Sequence, residues 1–233
     1  MDAIDLAEAR RRLGRRAIVM QIGGFRPPDD PTLSWFGRVN VAAPGESWPR
    51  SARGAPMHAL CQIDLTGLPF RPPRLDDAEM IAVFIGPDEL PTDTPNGDGW
   101  CLRAYERKAS LVTLPPVDTG SWVKPFPMRP VVVDADYPCR EDVGEEVSEE
   151  IADLLEDELE NVPGLKLGGW PSLIQSEIFW APWNRHPAKP EYVFQIDSDE
   201  KALWAWGHGG VGYFGRGTTP EARDEWALAW QTL

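Results

Sequence analysis

Cysteine and histidine are scarce in this sequence, with three of each among 233 residues. Cys61, Cys101 and Cys139 stand about forty residues apart, which fits neither a disulfide framework nor a paired zinc knuckle and suits a reducing compartment. His58 and Cys61 make the one close His/Cys pairing, whereas a zinc site normally draws four ligands from two spaced pairs, so no metal is expected. Long apolar runs are missing too. None approaches the ~18 residues of a membrane span, and Met1-Asp2-Ala3-Ile4-Asp5 lacks the basic start of a secretion signal. The expectation is a cytoplasmic protein with no membrane partner. Basic residues are outnumbered 23 to 37, for a formal net charge of −14. That balance argues against a broad nucleic-acid footprint, which needs clustered cations.

What is present is unevenly placed. Between Asp134 and Glu160 thirteen acids face the single base Arg140, a net −12, so the rest of the chain is nearly neutral. The N-terminal stretch leans the other way, with Arg10, Arg11, Arg12, Arg15 and Arg16 near the end of a predicted helix, where cations complement the dipole. Glycine (21) and proline (24) punctuate the chain, yet 42% hydrophobic residues make it globular.

Short motifs recur in order. Gln21-Ile22-Gly23-Gly24-Phe25 is echoed by Lys166-Leu167-Gly168-Gly169-Trp170, and Cys61-Gln62-Ile63-Asp64-Leu65 by Phe194-Gln195-Ile196-Asp197-Ser198. Val83-Phe84-Ile85-Gly86 pairs with Gly212-Tyr213-Phe214-Gly215. This self-similarity reads as two tandem repeats, about 1–130 and 131–233, in one body spanning 1–233.

A second helix is expected where Val147, Ile151, Leu154, Leu155, Leu159 and Val162 keep a 3.6-residue period and Glu149, Asp153, Glu156 and Glu160 take the opposite face. A third is expected at the C-terminal end, capped by Thr219-Pro220 and docked by Trp226, Trp230 and Leu233. Strands are expected at Ala17–Ile22, Leu60–Leu65, Met80–Ile85, Trp100–Arg107, Arg129–Val133, Tyr192–Ile196, Ala202–Trp206 and Val211–Phe214. The predicted class is α+β: mainly antiparallel sheet, two similar repeats and a few peripheral helices.

The paired Gly-Gly turns, the Gln-Ile-Asp strands, Gly169-Trp170-Pro171 with Gln175 downstream, and Trp206-Gly207-His208-Gly209-Gly210 before an aromatic strand resemble the YwqG-like bacterial proteins of unknown function. The likeness spans most of the chain. It implies a β-rich α+β fold of two similar halves, no established enzyme activity or cofactor, and a role in immunity to, or interaction with, bacterial toxins. The family tends to carry an acidic residue where His208 stands, so a role for that acid is not carried over.

Gln62 and Gln195 occupy matching places, as do Asp64 and Asp197. A residue kept in both copies is better explained by a shared backbone requirement than by one active site. The competing reading has them converge, with His208, on an inter-repeat cleft able to bind a cation or perform acid–base work. Gly207–Gly212 looks like a phosphate loop but runs into a strand rather than a helix, so a glycine-rich connection fits better. Of the eleven tryptophans, Trp204, Trp206, Trp226 and Trp230 read as core. Trp35, Trp48, Trp122, Trp170, Trp180 and Trp183 lie in loops, where they either cover the sheet or anchor a sugar or a partner.

These observations lead to a non-enzymatic protein-binding protein, with immunity to a toxin as the specific form. Glu145, Glu146, Glu149, Asp153, Glu156 and Glu160 would face a basic partner protein. The alternatives are an enzyme or small-molecule binder using the inter-repeat cleft, and a carbohydrate-binding module using loop tryptophans.

Overall fold

The computed structural model describes residues 6–142, 158–180 and 185–233. The helix α1 (Leu6–Leu13) is followed by strands β1 (Arg15–Ile22), β2 (Trp35–Phe36), β3 (Val41–Ala42), β4 (His58–Asp64), β5 (Met80–Ile85) and β6 (Trp100–Tyr105). Then come β7 (Val112–Thr113), β8 (Phe126–Asp136), β9 (Lys166–Gly168), β10 (Glu191–Asp197), β11 (Val211–Arg216) and β12 (Trp226–Gln231). Among the described residues α1 is the one α-helix, so the expected α+β class with several helices gives way to a β-rich fold. The antiparallel character is as expected: every strand pairing is antiparallel. The predicted second helix falls largely outside the described residues.

The predicted C-terminal helix is strand β12, paired residue for residue with β11 from Val211↔Gln231 to Arg216↔Trp226. Trp226 and Trp230 are spaced for one helix face, but Trp226, Leu228 and Trp230 also alternate with Ala227, Ala229 and Gln231. In so short a run the two periods are indistinguishable, and the free edge of β11 selects the strand. Ala202–Trp206, expected as a strand, is a turn closed by the Asp199↔Trp204 bridge, and Leu203 within it has φ +56°.

Ten strands form one sheet in the order β12-β11-β10-β9-β1-β8-β2-β4-β5-β6, and β3-β7 form a separate hairpin. From the central β1–β8 pair outward, β9-β10-β11-β12 on one flank answer β2-β4-β5-β6 on the other. The registers agree in detail. β4 against β5 skips between Ala59 and Cys61, and β10 against β11 skips between Tyr192 and Phe194, so each carries one extra residue, Leu60 or Val193, at the same place. In this ladder Gly168, which ends β9, corresponds to Gly37 after β2, rather than to Gly23. Val83 likewise corresponds to Phe214, two residues along from the match made by sequence. The division drawn at 130/131 falls inside β8.

The sheet curls until its flanks share one core. Cys61, Ile63, Ile81 and Val83 from one flank pack in the same cluster as Leu167, Phe194, Ile196 and Phe214 from the other. Trp100 reaches Phe214 edge-on at 6.1 Å between ring centroids, and Phe194 stacks on Phe214 at 4.5 Å. Such ring pairs add roughly 0.5–1.5 kcal/mol each beyond their burial. The outward face of β5 is covered as well, by the β3-β7 hairpin and Trp48 over Met80, Ala82 and Phe84. That double burial is why Met80–Ile85 reads as an unbroken apolar run. Gly212 in β11 seats Trp206: a Cβ there would lie 2.3 Å from the indole ring.

Candidate functional site

The duplicated polar residues are bound into the backbone of their own flanks. Gln62 is fully buried. Its Oε1 accepts from the Asn40 and Val41 N–H groups at 2.8 and 3.3 Å, while Nε2 donates to the carbonyls of Pro31 and Leu33 at 2.9 and 2.7 Å. Gln195, also fully buried, accepts from Ser172 N–H at 2.8 Å and donates to Gly164 O and Asp197 Oδ1. Asp64 Oδ1 closes an Asx turn by accepting from Thr66 N–H and Oγ1–H, and Oδ2 pairs with Lys108 Nζ at 2.8 Å. Asp197 Oδ2 accepts from Gly164 N–H at 2.6 Å. Burial pushes its carboxyl up to about 6, with the donors from Gly164 and Gln195 and the nearby Lys166 pulling the other way. Asp64 and Asp197 therefore answer to separate loops. His208 is exposed in the turn before β11, where its backbone N–H donates to Thr232 Oγ1 at 2.7 Å.

Of the acidic candidates, Glu145, Glu146, Glu149, Asp153 and Glu156 lie outside the described residues. Glu160 is described: it is exposed, and its carbonyl accepts from Tyr137 N–H. Asp136, counted in the same acidic run, is not on the surface. It forms a fully buried ion pair with Lys166, at 3.0 and 3.2 Å, and also accepts from Trp170 N–H at 2.7 Å and Val162 N–H at 2.8 Å. Burial lowers the Lys166 ammonium, which Asp136 counteracts. Of the loop tryptophans described, only Trp122 stands well out, 84% exposed; Trp48 packs edge-on against Phe84 at 5.2 Å. Among the described residues no three His, Cys, Asp or Glu side chains gather as metal ligands.

An open groove of about 1000 Å³ does lie where the flanks meet, walled by different residues. The start of β1 supplies Arg15 and Arg16, the loop after β4 supplies Phe70, Arg71 and Arg74, and the turn after β9 supplies Gly169 and Trp170. The β1–β8 ladder slips between Arg15 and Ala17, so two residues of β8 stand opposite Arg16. Arg15 and Arg16, neighbours at the start of β1, both line the depression. Arg15 lies over the Trp170 ring, 3.2 Å from its centroid, and Arg16 over Phe70 at 4.3 Å. The floor is anchored from below. Trp170 N–H is held by Asp136, and a Cβ on Gly169 would meet Asp136 Oδ2 at 2.3 Å.

Residues 34–215 match the family model for a domain of unknown function, DUF1963. The chain belongs to the DUF1963 family. No curated protein matches it. The DUF1963 match takes in Gln62, Asp64, Gln195 and Asp197 together with most of the groove wall, but it begins after β1 and ends before β12. Arg15 and Arg16 are thus additions to the DUF1963 region from outside its matched limits. Sequence reasoning placed them at a helix end; the Arg-Arg pair directly before the β-run Ala17–Ile22 was the available clue.

Arg74 ties the flanks together at the groove's rim. It sits in a Pro-Pro-Arg turn with φ +66°, a conformation that costs a non-glycine residue roughly 1–2 kcal/mol. Its guanidinium donates to Gly217 O and meets Glu191 at 3.3 Å, while its carbonyl accepts from Arg216. Arg216 in turn grips Asp77 with both terminal nitrogens, at 2.6 and 2.8 Å, which lowers the Asp77 carboxyl to about 2.

Proposed function

We propose that this protein acts by binding another protein rather than by catalysis, and that its partner presents a basic surface. The observation that carries this is the charge distribution: a net −12 between Asp134 and Glu160 in a chain whose remainder is close to neutral. Even with Asp136 buried against Lys166, this run remains the densest charge in the chain. Dense surface charge speeds association with an oppositely charged partner and discourages the wrong one. The resemblance to YwqG-like proteins makes toxin immunity the specific form, with the acidic run covering a cationic cleft. The use of Gln62 and Gln195 as backbone caps agrees with this reading, since it leaves the shared residues to shape the chain and the unshared ones to select a partner.

The test is capture from the native lysate at low and at moderate salt. Wild type and a charge-reversed variant (Glu145, Glu146, Glu149, Asp153, Glu156 and Glu160 each to Lys) are compared, with thermal melts alongside. A salt-sensitive partner lost by a variant that melts like wild type is the expected result. Equal capture by both proteins would remove the electrostatic reading.

A further inference from the structure

We infer that the groove at the meeting of the two flanks is a binding site for a small molecule bearing a phosphate monoester, with Arg15 and Arg16 as its anion donors. The site needs no protein partner, and Asp134, Asp136 and Asp142 of the acidic run border it.

The donors are what set this groove apart. A guanidinium laid flat on an aromatic ring spends its face and leaves its N–H edge in plane, ready for a fork of oxygens. Arg15 lies over Trp170 at 3.2 Å and makes no ion pair within 4 Å among the described residues, although the Asp142 and Asp136 carboxylates act on it electrostatically. Arg16 on Phe70 has a single long contact, 3.9 Å to Asp134, whose side chain is 91% exposed. Arg216 shows the contrast, because its guanidinium is used up on Asp77, Asp224 and two carbonyls. Arg71 and Arg74 add two more cations to the wall, Arg71 partly committed to the Ala78 carbonyl and Arg74 to the Gly217 carbonyl and the Glu191 carboxylate. The Arg74 Nε is buried and unpartnered. The same lining carries Asp142, Glu177 and Glu191, with Glu191 already paired to Arg74, so four arginines outnumber three acids in this depression of a chain whose net charge is −14.

The class of anion follows from number and size. One carboxylate is satisfied by one guanidinium fork, whereas a phosphate monoester offers three oxygens and close to two charges near neutral pH, enough for several forks. The groove, at about 1000 Å³, is much larger than a phosphate alone, and Trp180, Tyr192 and Ile178 give its far wall an apolar surface for the body carrying the phosphate. A nucleoside monophosphate has both parts and serves as the probe.

Calorimetric titration of adenosine 5′-monophosphate into the full chain should show binding that weakens with added salt. Arg15→Gln and Arg16→Gln should each weaken it at least tenfold while melting as wild type does, since both side chains lie at the surface. Adenosine and inorganic phosphate should each bind at least tenfold more weakly than the monophosphate. No binding by the monophosphate at millimolar concentration, equal binding by adenosine, or unchanged affinity in both folded variants would overturn the proposal. A phosphoserine peptide binding tenfold more tightly than the nucleotide would overturn the small-molecule assignment.

Discussion

Replacing Asp136 by alanine should destabilise this protein more than almost any other single polar substitution. Asp136 and Lys166 both have fully buried side chains. The carboxylate receives four contacts: two from Lys166 Nζ and one each from the Val162 and Trp170 amides. Asp136→Ala strips all four and leaves an ammonium with only Asn161 Oδ1 at 3.4 Å and Ser172 Oγ at 3.3 Å. Removing one partner of a buried pair costs about 3–5 kcal/mol, because the other charge remains uncompensated. For a domain of this size that corresponds to a fall of roughly 6–20 °C in Tm. Asp136→Asn should not rescue it, since one acceptor oxygen becomes an NH₂ facing a backbone donor. Asp136→Ala with Lys166→Met removes both charges and should recover at least about 1 kcal/mol of the loss. Urea unfolding followed by tryptophan fluorescence at pH 7 measures all four proteins. If the single alanine variant stays within about 1 kcal/mol of wild type, or the double variant is less stable than the single, the account of this pair is wrong.

Three further outcomes are expected. Asp197, pushed up to about 6 by burial, holds its proton in the folded chain above the ~3.9 of an unfolded aspartate, so its stabilising contribution is complete below about pH 4 and is lost as pH rises through about 6. Urea midpoints from pH 4 to pH 7 should therefore fall more steeply in wild type than in Asp197→Ala, by at most about 3 kcal/mol; parallel profiles would refute this. Gln62→Ala orphans four backbone groups, at Asn40, Val41, Pro31 and Leu33, and should cost about 2–4 kcal/mol. Gln195→Ala should cost less in the same denaturation assay, because two of its partners, Asp197 and Tyr192, are side chains that can turn elsewhere.

Much of the sheet was legible because its strands announce themselves singly. β4 and β10 share Gln-Ile-Asp, and β5 is apolar on both faces because both are covered. The pairing of the glycine motifs was not legible. Gly23-Gly24 and Gly168-Gly169 look alike, but only neighbouring strands show that Gly168 answers Gly37, and strand order is a long-range property that no local window contains. β12 was misread because Trp226 and Trp230 satisfy both periods and β11, which decides between them, lies across a turn. The groove was hidden for a similar reason. Its arginines come from positions 15, 16, 71 and 74 and its tryptophan floor from position 170, brought together by the curl of the sheet and by Arg74 and Arg216 reaching across it. The caps made by Gln62 and Gln195 were foreseeable, since a shared strand residue needs a shared backbone reason.

The position of β1 bears on how the protein should be handled. The family match starts at Ser34, yet Arg15–Ile22 is the strand wedged between β8 and β9. A fragment trimmed to the matched limits would lack the plank that joins the two sides. It would leave rows of unpaired amides along β8 and β9, an invitation to aggregate or to borrow the missing strand from another molecule. Shortened versions for crystallisation or ligand work should begin ahead of Arg15.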